Sequence, residues 1–166
     1  MMAEDGIRAL AQGLPRVATN PQDLDARSDC RYGAWLCGAA LGAVGMGLHH
    51  KLCHTLGGAW NLPHAETHTI VLPHAAAYNF TVARQAMACV ARALALPVGA
   101  DAAQGLYDLP DRLGARMALK DIGMKQAELD RAAELATQSP YYNPRAINPA
   151  AIRKLLDDAY HGRRPN

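Results

Sequence analysis

The sequence predicts an all-α fold, a bundle of about six to eight helices. Apolar residues make up 50% of the 166-residue chain, but aromatic residues make up only 5%. Ala, Leu and Gly dominate the apolar set, a composition that favours closely packed helices over sheet. No alternating run of apolar and polar residues is long enough to indicate a sheet. Residues 1–166 are therefore expected to form a single helical domain with one core.

Prolines and glycines divide the first half of the chain. A first amphipathic helix is expected to stop at Pro15, because proline disrupts a helix interior. A long central helix is predicted from Asn20-Pro21 to about Cys53, followed by a break at Gly57-Gly58.

Pro63 suits the first position of a third helix, which is predicted to begin at His64 and reach about Leu96. Pro73 lies inside it and is expected to kink or split it. A break is predicted at 97–99. Later helices are predicted near residues 102–106, 108–119, 125–137 and 149–160, with an extended connector over 139–144.

Charge and hydropathy exclude two classes of partner. The chain carries 17 Lys and Arg against 15 Asp and Glu, without a basic block, so nucleic acid is not an expected partner. Residues 32–48 are uncharged, but this stretch is shorter than a membrane span and rich in glycine. We expect a helix buried among other helices, with Gly38 and Gly42 allowing close backbone approach.

The four cysteines form no CxxC pair and are too scattered for a disulfide framework. We therefore expect reduced thiols and a cytoplasmic protein. The chain also contains neither GxGxxG nor GxxxxGK[ST], so it shows no phosphate-binding loop of its own.

Six of the seven histidines fall between positions 49 and 74. Helical residues four apart share a face, so His50 and His54 should project together, as should His64 and His68. The short turn over 57–62 is expected to bring the two pairs into one pocket. Such a pocket can donate protons, bind a metal ion or hold an anion.

The residues around these pairs have less specific patterns. His49 points about 100° away from His50 and is expected to be structural or solvent-facing. His74 remains ambiguous, and His161 is expected at the surface. Lys51 and Cys53 flank the first pair, and Cys53 is either a reactive thiol or a buried packing residue. The HAETH string differs from HExxH, so zincin chemistry is not indicated.

These motifs resemble the C-terminal helical domain of the iron-containing alcohol dehydrogenase family. The family pattern places a His, a second His four residues on, a glycine-containing turn and then Pro-His, here His50, His54 and Pro63-His64. The HHKLCH string at 49–54, His68 after HAET, and Asn143-Pro144-Arg145 are similar to the maleylacetate reductase branch of that family. The resemblance covers nearly the whole chain.

The resemblance implies an NAD(P)H-dependent reductase that converts maleylacetate, a dicarboxylate, to 3-oxoadipate in the degradation of aromatic compounds. His54 would lie nearest the nicotinamide and transfer a proton, and His64 would share the catalytic role. His50, Lys51 and His68 would help to bind the substrate. Most of the NADH or NADPH would be bound by an N-terminal α/β domain that this chain does not contain. We therefore expect the chain to be inactive alone, and to form a homodimer.

Metal-dependent members of this family use one Asp and three His as ligands. His50 and His64 match two of these ligands, and the other two lie upstream of this chain. Because the resemblance is to a branch that is generally metal-independent, we expect no bound metal, with His50 and His64 as ligands if one is present. Two alternatives remain open: a fragment of a metal-dependent alcohol dehydrogenase, and a non-catalytic helical module for binding or dimerisation.

Overall fold

The computed structural model describes residues 2–139 and 141–166, which contain eight α-helices, two short 3₁₀ helices and no strand. The all-α prediction is confirmed. The α-helices are α1 (Met2–Thr19), α2 (Leu24–Gly42), α3 (Leu48–Trp60), α4 (His64–Asn79), α5 (Arg84–Ala93), α6 (Ala102–Arg112), α7 (Leu129–Thr137) and α8 (Pro149–His161). The 3₁₀ helices are Leu119–Ile122 and Gln126–Glu128.

The first helix does not stop at Pro15, as predicted, but continues to Thr19. Its last turn is held by tertiary contacts, because Arg16 forms ion pairs with Asp23 at 3.0 Å and with Asp29 at 3.0 Å. Asp23 also caps α2 by accepting a hydrogen bond from the backbone N–H of Ala26. These contacts join α1 and α2 into a hairpin.

The close approach of the α1 and α2 backbones does not depend on Gly38 and Gly42, the pair predicted to allow it. A Cβ atom on Gly33 would lie 2.8 Å from the carbonyl oxygen of Gly6, so the two backbones touch there. Gly38 and Gly42 are exposed, and a Cβ atom on either would meet nothing within 4 Å. The prediction that α2 is buried among other helices is also wrong, because α2 packs mainly against α1.

The predicted long central helix is two helices. A linker over 43–47, exposed at 43–46, separates α2 from α3. The predicted break at Gly57-Gly58 is also wrong, because both glycines lie inside α3. Leu56 in the preceding turn is fully buried, and its packing holds this part of the helix. The helix ends at Trp60, and its C-cap Asn61 has a left-handed backbone (φ 51°), which asparagine tolerates well.

The predicted third helix is also divided, although not at Pro73. Pro63 is the N-cap of α4 rather than its first residue, and Pro73 lies within the helix. Ile70 and Tyr78 on either side are buried, and this packing keeps the helix continuous across the proline. The division into α4 and α5 falls instead at 80–83.

The second half of the chain is closer to the prediction. The break at 97–99 is confirmed, and α6 replaces the two short helices predicted at 102–106 and 108–119. The helix predicted at 125–137 is a 3₁₀ helix followed by α7, and α8 matches its predicted bounds to one residue. The connector over 139–144 has no regular structure in its described residues; Pro140 lies outside them.

The hydrophobic core forms between α3, α4, α7, α8 and the first 3₁₀ helix. Its largest fully buried side chains include Leu48, Leu52, Leu56, Ile70, Leu119, Leu129, Ile152 and Leu156. The α1–α2 hairpin lies outside this cluster. Within 2–139 and 141–166, no helix is both long enough and apolar enough to cross a membrane.

Candidate active site

The histidines lie where α3 and α4 pack against each other. A three-residue loop, 61–63, joins the two helices. His50 lies beside His68 and His54 lies beside His64, so the two helices run antiparallel across the cluster. The core beneath α3 and α4 fixes both backbones, and the loop fixes how far apart the two pairs stand.

The structure brings the four predicted rings together. The centroids of His64 and His68 are 4.1 Å apart, and those of His50 and His68 are 5.1 Å apart. His54 lies 5.9 Å from His50, 6.4 Å from His68 and 6.5 Å from His64. The i, i+4 spacing therefore identified one contiguous group of imidazoles.

His49 lies in the same group, although helical spacing predicts that it points away from His50. Its ring centroid lies 4.8 Å from that of His68 and 5.1 Å from that of His50. Its Nε2 is 3.0 Å from the backbone carbonyl oxygen of His68, which fits an N–H donated across the helix pair. Adjacent helical residues diverge, but both rings pack edge-on against the ring of His68 on the neighbouring helix. Helical spacing alone carries no signal for this arrangement.

The cluster is buried at one end and open at the other. His49, His50 and His68 are half-buried, whereas His54 and His64 are exposed. An apolar cavity of about 500 Å³ adjoins His49. Its wall includes Leu48, Leu72, Ala76, Met87 and Tyr142. The site therefore combines a polar mouth with an apolar space beside its buried end.

Burial keeps the inner rings uncharged. It lowers the pKa of His49 and of His50, and in both cases repulsion from neighbouring imidazoles lowers it further. Burial, together with the four surrounding rings, lowers the pKa of His68 to about 4. At neutral pH these three imidazoles are neutral, with one N–H donor and one lone pair each.

Lys51 and Cys53 point to other parts of the structure. The Lys51 ammonium lies 5.9 Å from the ring centroid of Tyr141, on the connector before α8. Cys53 is only 2% exposed within the core, and burial raises its pKa to about 12. Of the two roles left open for Cys53, the structure favours packing.

The two histidines outside the cluster have separate environments. His74 is 4% exposed, and burial lowers its pKa to about 4. His161 is half-exposed at the end of α8, where its ring lies edge-on to Tyr160.

The Asn143-Pro144-Arg145 motif packs against the C-terminal end of α4, and Asn143 and Pro144 also line the cavity beside His49. The side-chain amides of Asn79 and Asn143 exchange hydrogen bonds of 2.8 and 3.1 Å. The guanidinium of Arg145 lies over the Tyr78 ring at 4.4 Å and donates to the Tyr78 carbonyl at 3.0 Å. These contacts hold the connector against α4, so the motif has a structural role here.

The fold and site define the class of protein. Residues 1–160 match the family model of the C-terminal domain of the Fe-containing alcohol dehydrogenase family. The chain belongs to that family.

Its relatives carry more specific names. The chain is 56% identical to maleylacetate reductase of Burkholderia cepacia, over 100% of this chain and 46% of that protein. The maleylacetate reductase structure from Rhizobium sp. strain MTP-10005 superposes with a TM-score of 0.94 at 51% identity, over 99% of this chain and 46% of that one. An iron-containing alcohol dehydrogenase from Corynebacterium glutamicum gives a TM-score of 0.91 at 38% identity, over the same shares of the two chains. The chain thus spans about half the length of the relatives it matches.

Proposed function

We propose that this chain supplies the substrate-binding half of an NAD(P)H-dependent maleylacetate reductase. One observation carries the proposal: two histidine pairs, on α3 and α4, meet across a three-residue loop and open to solvent at His54 and His64. Identities of 48–56% to maleylacetate reductases support the choice of substrate. The dinucleotide would be bound mainly by the part of such an enzyme that this chain does not span.

The reaction converts maleylacetate, NAD(P)H and a proton to 3-oxoadipate and NAD(P)⁺. When bound, the cofactor would supply a hydride to the alkene carbon β to the ketone, the position of conjugate addition. The electron pair of the alkene then moves toward the ketone oxygen and leaves an enolate, which must accept a proton on carbon. Stabilising this enolate and delivering that proton are tasks for the imidazoles.

The depth of each ring in the site suggests its role. His54 is exposed at the open end, where it can exchange protons with solvent and protonate the enolate carbon. His64 stands beside it at the start of α4, where free backbone N–H groups favour a bound anion. We assign His64 and His68 to the carboxylate or the enolate oxygen, and His50 to binding the substrate. Lys51, expected from the sequence to help bind the substrate, has its ammonium over the Tyr141 ring and takes no part in this assignment.

Neutral inner rings suit a dianionic substrate. Because burial lowers the pKa of His50 and His68, the pocket presents N–H donors without the cost of several buried charges. A carboxylate placed against these rings favours their protonated form. The pocket can thus become cationic when the anion enters.

Iron is implied by the family, so we compared the implied ligands with the geometry. The resemblance implies His50 and His64 as two of the metal ligands. The three ring nitrogens that lie within 4.8 Å of one another, however, belong to His49, His50 and His68. No carboxylate joins this group among the residues that the structure describes. Because the other two implied ligands lie upstream of this chain, the residues present can supply only part of the implied ligand set, and the proposed reaction includes no step at a metal ion.

Reconstitution tests the proposal. The chain should be co-expressed with the complementary N-terminal part of the Burkholderia cepacia reductase, and oxidation of NADH and of NADPH followed with maleylacetate. We expect turnover only when both parts are present and co-elute in size-exclusion chromatography. Turnover by the isolated chain, or none by a co-eluting complex, would contradict the proposal.

Replacing His54 with alanine in the reconstituted enzyme should lower kcat by about 10²- to 10⁴-fold, because a positioned acid–base group contributes that much. His161→Ala serves as the control, since it removes an imidazole far along the chain on α8. A decrease of less than about tenfold in the His54 variant would rule out proton transfer by this ring.

A further inference from the structure

A second cavity lies beside α4, separate from the histidine cluster. It has a volume of about 260 Å³ and is formed by α4, α8, the segment before α8 and the tail after it, residues 162–166. It shares no lining residue with the cavity beside His49, and none of the five clustered histidines lines it. One water needs only about 10–15 Å³ of such space, so the cavity has room for a small ligand.

Positive charge predominates at the wall of this cavity. Four cationic side chains line it: Arg145, Lys154, Arg163 and Arg164. The negative groups are the Asp158 side chain and the α-carboxylate of Asn166, the last residue. Cations therefore outnumber anions by four to two. Such an excess around a partly enclosed space favours a bound anion.

Arg145 has hydrogen-bond donors that the protein does not use. Its guanidinium lies over the Tyr78 ring but forms no ion pair among the residues that the structure describes. Only Nη1 is hydrogen-bonded, to the Tyr78 carbonyl at 3.0 Å, so Nε and Nη2 remain as donors. Two parallel N–H groups of a guanidinium are a common partner of a phosphate or carboxylate.

The two arginines of the tail are paired, but not through all of their nitrogens. Arg163 contacts Asp157 and Asp158 through Nη1 alone. Arg164 contacts Asp108 through Nε and Nη2, which leaves Nη1. Each arginine can therefore donate to a ligand without losing its carboxylate partner.

His74 adds a buried imidazole to the same wall. It is 4% exposed, and its ring has no hydrogen-bond partner among the described residues. Burial lowers its pKa to about 4, so at neutral pH the ring is uncharged and one nitrogen carries an N–H. Because Nε2 is shielded from solvent, Nδ1 is the nitrogen that can reach a ligand. An anion in the cavity would give this donor the partner that the protein does not provide.

We propose that this cavity binds phosphate, either free or as the end group of a small metabolite. Arg145 and the two tail arginines would hold it, with Lys154 at the rim and His74 donating from the buried side. A phosphate has enough oxygens to accept hydrogen bonds from several of these groups at once, whereas a carboxylate has only two. The ligand would join α4, α8 and the tail, so binding should stabilise the folded chain.

The test titrates the 166-residue chain with inorganic phosphate at constant ionic strength and follows the histidine ring signals by NMR. We expect the signals of His74 to shift saturably, and sodium chloride at the same ionic strength to leave them in place. Glycerol phosphate, titrated in parallel, distinguishes the two sources: tighter binding than inorganic phosphate indicates a metabolite, and weaker binding the free ion. The proposal is overturned if phosphate does not move the His74 signals, or if it moves only those of the clustered histidines.

Variants test the individual donors. Arg145→Gln should weaken phosphate binding at least about tenfold, because it removes charge-assisted hydrogen bonds. Lys154→Gln should weaken it less, by about threefold, because this side chain is 76% exposed and already paired with Asp158. Arg131→Gln on α7 is the control, since Arg131 pairs with Glu134 and does not line the cavity. Binding by the control should stay within about twofold of the unsubstituted chain.

Circular dichroism establishes that each variant is folded, which matters because Arg145 also packs on Tyr78. Phosphate should raise the melting temperature of the unsubstituted chain more than that of Arg145→Gln. Equal binding by the unsubstituted chain and a folded Arg145→Gln variant would overturn the proposal. If Arg145→Gln does not fold, Lys154→Gln and the NMR titration still decide the outcome. Because no substrate or dinucleotide is present, the result is independent of the reductase proposal.

Discussion

The α1–α2 hairpin and the α3–α4 pair are both antiparallel pairs of helices, but they are held in different ways. The hairpin is held by glycine-mediated backbone contact and by ion pairs of Arg16, and α2 leaves Leu24, Tyr32 and Trp35 more than half exposed. The α3–α4 pair buries large aliphatic side chains in the core and presents its histidines at one edge.

The difference shows that the polarity of a sequence segment does not predict whether its helix is buried in the core. The uncharged stretch over 32–48 has the composition of a core helix, yet α2 lies at the periphery. The HHKLCH string at 49–54 has the composition of a surface helix, yet Leu52 and Cys53 within it are almost fully buried. A site built over a large aliphatic core gains a rigid base that a glycine-packed hairpin does not offer.

The largest expected difference between the two helix pairs is in how much stability is lost when a large side chain is replaced by alanine. Ile70→Ala in α4 should lower the free energy of unfolding by about 3 kcal/mol, because Ile70 is fully buried and its loss leaves a cavity. Leu24→Ala in α2 should change it by less than about 0.5 kcal/mol, because Leu24 is 72% exposed. Urea unfolding measures both. Equal losses would show that α2 is buried by a partner, such as a second copy of the chain.

Lowering the pH from 7 to 5 should reduce the stability of α4 and leave that of the α1–α2 hairpin largely unchanged. The pKa of His74 is about 4 in the folded protein and near 6.5 when unfolded, so the unfolded chain binds an additional proton as pH falls below 6.5. His74 should therefore cost about 2 kcal/mol of stability between pH 7 and pH 5. His74→Phe should remove this part of the pH dependence of unfolding.

Hydrogen exchange can locate the same effect along the chain. Residues 2–42 contain no histidine, so amide protection in α1 and α2 should depend less on pH than protection in α4. An unchanged stability profile in His74→Phe, or equal pH dependence in both helix pairs, would contradict the burial effect.

The smallest effect concerns the hairpin itself. Gly33→Ala should destabilise the protein by about 1.5 kcal/mol, because the new methyl group would meet the Gly6 carbonyl oxygen and force the helices apart. Gly38→Ala in the same helix meets nothing within 4 Å and should stabilise the protein by up to about 1 kcal/mol through helix propensity. Opposite signs in thermal unfolding would confirm which glycines form the contact; equal signs would contradict it.

Sequence reasoning recovered the helical class and the four-ring cluster, since both depend on helical spacing. It failed where packing overrides local preference. Pro15 and Pro73 lie inside helices that tertiary contacts maintain, and Gly57-Gly58 remains helical beside buried Leu56. The place of His49 in the cluster was missed for a related reason. It depends on how α4 packs against α3, and the spacing of residues within α3 does not predict that packing.

The three-residue loop at 61–63 constrains how the chain can change over evolution. Each residue of a helix turns about 100° from the last, so inserting or deleting a single residue at the start of α4 would rotate His64 and His68 by that amount relative to the core. The aliphatic residues of α4 would resist this rotation, and the two imidazole pairs would lose their register. Length variation among descendants of this chain should therefore accumulate in the exposed part of the linker, 43–46, while the loop before His64 keeps its length.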